Sequence, residues 1–215
     1  MGTLELLTLG VTIAVAVAGV LVLLLMLNHA PRSAAGDLVG RGDFAEALTA
    51  ADTGGDAERD ELMAAAIAAK HLRELDRAED LLARVVRIDD DDGEAWMERG
   101  LVAAYRGDYA LAADHLRSAE RRRSDLLESI SLHRAWVDLL AGEAAAALRR
   151  FEEIAAPLES KLRSDLGPGD PLFAEWFFQA SDLWAESGAT EKAAWARREA
   201  RRSAPSSELV ARFTR

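Results

Sequence analysis

A chain of 215 residues with no cysteine, 26 basic and 37 acidic side chains and a formal net charge of −11 excludes several classes at once. Disulfide scaffolds, thiolate metal sites, iron–sulfur clusters and cysteine nucleophiles all need a residue it lacks. The acidic balance argues against a nucleic-acid-binding domain, which presents a basic face. Half the residues are hydrophobic but only 6% are aromatic. The length suits one domain of ordinary size plus an appendage.

The first feature in chain order is an uncharged run over 6–27, mostly Leu, Val and Ala. As a helix rising ~1.5 Å per residue it would be ~33 Å long, enough for a hydrocarbon core of ~30 Å. A cleaved signal peptide wants a basic start and an apolar core of only ~7–15 residues. Here Glu5 is the only side-chain charge ahead of the run, although Ser33-Ala34-Ala35 loosely resembles a cleavage site. A buried core helix would carry polar residues on one face. Residues 1–30 are therefore expected to be a transmembrane anchor. Arg32 and Arg41 follow the span, so the positive-inside rule puts the rest of the chain in the cytoplasm. Gly10, Ala14 and Ala18 recur every four residues, a stripe that would let two such helices pair as a homodimer; chance spacing of small residues is the plainer account.

Beyond the span the composition favours helix throughout, being rich in Ala, Leu, Glu and Arg, with no long alternation of Val and Ile. Glycine-bearing breaks come at 40–43, 54–55, 89–93, 107–108, 142, 167–169 and 188, one helix length apart or so. That punctuation predicts a series of helical hairpins. A period lies within it: Ala78, Leu82 and Val85 recur as Ala112, Leu116 and Ala119, shifted by 34 residues.

Trp96, Gly100, Gly107-Asp108-Tyr109, Ala112, Leu116 and Ala119 stand at the separations of the tetratricopeptide repeat signature, and the segment resembles that family. It departs from the pattern at Arg99, Ala103 and Ser124, where the family usually has Leu, an aromatic and Pro. Units over 59–92, 128–157 and 174–205 look similar, and 34–51 looks like a shortened first unit. The resemblance implies an all-α fold: an α-solenoid of about four to five hairpins over 31–205. Gly100 and Ala112 would let paired helices approach closely, with Leu116 and Tyr109 filling gaps between hairpins. The spacing grows by about a dozen residues at 158–172, through an extended helix or a projecting loop. Residues 206–215 would form a short capping helix or tail, with Leu209, Val210 and Phe213 on one face.

No catalytic, cofactor or metal constellation emerges. There is no phosphate-binding glycine loop. His29, His71, His115 and His133 are scattered, which suits packing or surface roles better than a zinc pair. The acidic run at 89–92 fails as an EF-hand, because Ile88 and Arg99 stand where acids are needed; it reads as a turn whose last acids favour the next helix N-terminus. Arg41-Gly42-Asp43 falls within the repeat pattern and is treated as chance. Arginine clusters at 121–123, 149–150, 197–198 and 201–202 are expected late in second helices, where they complement the helix dipole. A patch for anionic lipid headgroups is the alternative.

The resemblance further implies a concave binding face made by the first helix of each hairpin. Transferred to this chain it comprises Met63, Ile67, Lys70, His71, Met97, Leu101, Ala104, Tyr105, Leu132, Trp136, Leu139, Phe178, Asp182 and Glu186. Met63 and Ile67 stand where a Lys and Asn clamp for acidic peptide termini would begin, so that clamp is absent. Such a groove suits an apolar or amphipathic segment of a protein partner, unless several of these residues, Leu101 and Leu139 among them, are core. The expected role is a single-pass, membrane-anchored, non-enzymatic scaffold facing the cytoplasm. Its layout is similar to that of the lipopolysaccharide assembly protein B family, without that family's cysteine metal ribbon. An envelope chaperone facing the periplasm or exterior is the alternative.

Overall fold

The computed structural model describes residues 33–52, 58–122, 126–164 and 170–213. The expected membrane helix over 6–27 and its Gly10, Ala14 and Ala18 stripe lie outside these residues. Among the described residues no helix is long and apolar enough to cross a membrane, and there is no strand.

Residues Ser33–Arg215 form one compact unit. Its helices are α1 (Ala34–Arg41), α2 (Phe44–Asp52), α3 (Arg59–His71), α4 (Leu75–Ile88), α5 (Gly93–Arg106) and α6 (Tyr109–Arg122). They continue as α7 (Leu127–Leu140), α8 (Ala144–Arg163), a 3₁₀ turn (Pro171–Phe173), α9 (Ala174–Glu186), α10 (Thr190–Ser203) and α11 (Glu208–Phe213). Consecutive helices pair as hairpins: α1 with α2, α3 with α4, α5 with α6, α7 with α8 and α9 with α10. Helices α3, α5 and α7 begin at Arg59, Gly93 and Leu127, a constant step of 34 residues.

The recurrent triplets are the faces that make the hairpins. Ala78, Leu82 and Val85 of α4, and Ala112, Leu116 and Ala119 of α6, are all buried. Gly100 shows how closely α5 and α6 meet: a Cβ there would lie 2.7 Å from Leu116 Cγ and 3.3 Å from the Ala112 carbonyl oxygen. Gly107 ends α5 at φ +86°, and its N–H is given back to the α5 carbonyls, a closure that a side chain would strain. At the start of α5, the Asp92 carboxylate accepts from the Ala95 N–H at 3.0 Å and from Arg59 Nε at 2.7 Å. The acidic turn therefore serves as a helix cap and ties α3 to α5.

The extra length before the last hairpin is helical at first. α8 runs for 20 residues with Pro157 inside it, where the other helices of these hairpins have 13 or 14 from α3 onward. This changes the place of one arginine pair: Arg149 and Arg150 fall in the first half of α8, not late in it, and Lys161 and Arg163 occupy its last turn. Arg121, Arg122, Arg201 and Arg202 do sit in the last turns of their helices. Leu209 and Val210 of α11 are buried. That helix packs on α9 and α10, and also on α3 near the other end of the chain.

Candidate functional site

Helices α3, α5, α7 and α9 follow one another along the inner face. The residues expected to line a groove sit on these helices. Met63, Lys70, His71, Met97, Leu101, Ala104, Tyr105, Leu132, Trp136 and Phe178 are buried; Ile67, Leu139 and Asp182 are half-buried and Glu186 is exposed. The expectation of an open groove is thus corrected. Side chains reach across from opposite units and fill the space that a partner would enter.

A buried ion cluster lies at the centre. Lys70 Nζ donates to Glu98 Oε2 at 2.7 Å and to Glu175 Oε2 at 2.6 Å. The Tyr105 hydroxyl donates to the other oxygen of Glu175 at 2.5 Å. These groups come from α3, α5 and α9, and Lys70 is only 1% exposed. Burial works to lower the Lys70 ammonium, but Glu175 and Glu98 outweigh it and hold its pKa above the ordinary value. Burial likewise works to raise Glu175, and Lys70 outweighs it, holding the carboxyl at about 2. Glu98 is pushed up by burial and by repulsion from Glu175, against the pull of Lys70. One ammonium thus serves two carboxylates at nearly equal distance. Burial, then the charge of Glu175, pushes the Tyr105 hydroxyl well above its usual range, so it stays a donor.

Two histidines flank this cluster. His71 Nδ1 shares a hydrogen bond of 2.8 Å with Ser207 Oγ, and its ring stacks on Phe44 with centroids 4.3 Å apart. His133 Nδ1 meets Gln179 Oε1 at 2.6 Å. Burial drives the His71 pKa down to about 3, helped by Lys70, and that of His133 down to about 4. Both rings are packing groups, neutral at pH 7. Around them Trp136 stacks edge-on to Phe178 at 5.6 Å, tilts toward Tyr105 at 5.2 Å, and donates its indole N–H to Asp182 at 3.1 Å.

Of the residues expected to line the groove, Lys70, His71, Tyr105, Trp136 and Phe178 belong to this buried cluster and the rings around it. The structure adds Glu98, Glu175, Gln179 and Ser207, which no sequence pattern singled out, and His133, read from the sequence only as a packing or surface residue. The available signal was a charge on an otherwise apolar inner stripe, Glu175 before Phe178 and Lys70 after Ile67. Among the described residues no group of His, Asp and Glu is placed to hold a metal ion.

No protein-family model and no curated protein matches the sequence. Solved structures do resemble it in fold. The TPR protein MamA gives a TM-score of 0.50 at 16% identity over 78% of this chain and 92% of that one. MamA of AMB-1 gives 0.50 at 18% identity over 79% and 94%. YrrB, described as a TPR protein with an unusual peptide-binding site, gives 0.46 at 18% identity over 83% and 87%. The chain from 33 onward has the fold of a tetratricopeptide-type helical solenoid, one whose inner face is filled by its own side chains.

Proposed function

We propose that the chain is a membrane-anchored scaffold that binds a protein partner through the inner face of its solenoid, on the cytoplasmic side, without catalysis. The observation that carries this reading is the composition of that face. Met63, Lys70, His71, Met97, Tyr105, Trp136 and Phe178 come from four hairpins and are buried, so a polypeptide would meet Ile67, Leu139, Asp182 and Glu186 first and would have to displace the chain's own side chains to reach this mixture of aromatic, thioether and charged groups. Anchoring rests on the uncharged run over 6–27, and sidedness on Arg32 and Arg41. Restriction to a membrane surface raises the local concentration of whatever the face holds.

Two measurements test it. The chain has no cysteine, so single cysteines at the exposed positions Asp76 and Arg198 report sidedness through an impermeant thiol reagent. Labelling only after the membrane is broken is expected; labelling in intact cells overturns the cytoplasmic assignment in favour of an exterior-facing chaperone. A photocrosslinker at Ile67, the half-buried inner position on α3, is expected to capture a partner that one at Arg84 on α4 does not. Equal capture at both positions refutes binding by the inner face.

A further inference from the structure

The last hairpin leaves open a face that the earlier hairpins have covered. The turns before α4, α6, α8 and α10 each hold a residue at positive φ: Arg73, Gly107, Gly142 and Gly188. Nine residues after these stand Leu82, Leu116 and Phe151, all buried, and then Arg197, which is exposed. The Arg197 guanidinium turns to Asp182 of α9, at 3.3 Å. Beside it opens a cavity of about 410 Å³, bounded by Ala185, Ala193 and Ala194 and by Arg197, Arg198 and Arg201. α11 packs on α10, but it has only 6 residues and none of them lines this cavity.

The charge on this face is the reverse of that at joints within the chain. Where α5 packs on α4, Arg99 and Arg106 of α5 meet Glu79 and Asp76 of α4, each at 2.5 Å. Where α7 packs on α6, Arg134 of α7 meets Glu120 of α6. In both joints the second helix of a hairpin supplies the acid and the incoming helix the arginine. On α10 the residue in register with Glu120 is Arg201, and Arg198 stands one turn before it. Both are exposed, and among the described residues neither side chain has an ion-pair or hydrogen-bond partner.

We propose that the uncovered face of α10 is a docking site for a helix of a partner protein, one that carries a bulky apolar side chain between acidic residues and seats as α5 seats on α4. The apolar side chain enters the cavity beside Ala193, at the register that Leu82, Leu116 and Phe151 fill in the earlier hairpins. The carboxylates meet Arg198 and Arg201. A basic incoming helix, such as this chain's own α5 and α7 present at a joint, meets like charge there, so the face selects against further hairpins of the same kind. The site is separate from the inner face and does not depend on anything binding there.

The test uses the full chain in detergent micelles and a labelled, alanine-rich host helix bearing one Leu, with Glu three residues before it and four after it. Fluorescence anisotropy reads the binding. Arg198→Glu with Arg201→Glu is expected to weaken it at least about tenfold, and a peptide with Lys for both Glu is expected to prefer that reversed chain to the unmodified one. Filling the cavity with Ala194→Trp, or giving the peptide Ala for Leu, should each cost at least about fivefold. All three substituted positions of the chain are exposed, so circular dichroism should show the fold unchanged. No binding by the unmodified chain, or binding that follows charge but ignores both Ala194→Trp and the loss of Leu, overturns the proposal. Glycerophosphoserine, a water-soluble anionic headgroup, is expected to compete no better than sodium chloride at equal ionic strength; stronger competition overturns it in favour of a lipid surface. Self-association in sedimentation that the reversed chain loses overturns it in favour of a second copy.

Discussion

Stability of the solenoid should fall sharply between pH 7 and pH 5 because of two buried imidazoles. In the unfolded chain His71 and His133 titrate near 6.5, whereas in the folded chain they are held down to about 3 and about 4. The sign follows directly. Between those values the unfolded state binds protons that the folded state refuses, so stability is full above 6.5 and is lost as pH falls. From pH 7 to pH 5 each histidine contributes a loss of about 1.9 kcal/mol, hence about 4 kcal/mol for the pair, a large part of an ordinary domain's 5–15 kcal/mol. The charges nearest them are Lys70, which disfavours protonation, and Glu175, which favours it without overcoming burial. Glu98, with its raised carboxyl, titrates in the opposite sense. The decisive quantity is therefore the difference between chains rather than the raw slope. Urea unfolding of the Ser33–Arg215 unit, followed by circular dichroism at pH 7, 6 and 5, measures it. His71→Asn and His133→Asn should each remove about half the drop, whatever they cost at pH 7. A stability that is flat with pH, or a drop that survives unchanged in the double variant, would refute the assignment of these rings as neutral packing groups.

Other expectations follow from single contacts. Gly100→Ala places a methyl 2.7 Å from Leu116 Cγ and should cost about 1–3 kcal/mol in urea unfolding, with Leu116→Ala in the same chain recovering part of it. Asp92→Ala removes the cap of α5 and the Arg59 partner together, and a loss of about 2 kcal/mol is expected, with Asp92→Asn keeping the cap and recovering roughly half. Lys70→Met leaves Glu98 and Glu175 buried without their cation and should cost about 3–5 kcal/mol at pH 7. Adding Glu175→Gln should restore a substantial part of that loss, and additive thermal shifts for the two substitutions would show that they do not share a cluster.

The hairpins were legible because the information that makes them is local and periodic. Ala78, Leu82 and Val85 announce a buried face, their repetition in α6 announces the step, and Gly100 opposite Leu116 announces the close approach. The extension of α8 past Pro157 could be narrowed only to helix or loop, since a single proline does not decide whether packing carries a helix past it. The filling of the inner face was not legible. Its contacts join Lys70 to Glu175, His71 to Ser207 and Gly42 to Ser206, across 105, 136 and 164 residues. No repeat period encodes a contact between units that are not neighbours. A family rule about an exposed concave surface therefore says nothing of how far those side chains are buried by the chain itself.

Repeat arrays are ordinarily open-ended: each module touches only the next, so modules are added or lost at little cost to the rest. Here the far end returns to the near end, as α11 against α3 and Ser206 against Gly42 show. Such a chain counts its own modules. One hairpin more would carry α9 past Lys70, and one fewer would leave it short, so the number of hairpins is fixed by closure rather than by any single interface. Unfolding changes character as well. Terminal modules of an open array fray first, whereas each end of this one is held by the other, and loosening α11 should be felt at α3 before the middle hairpins give way.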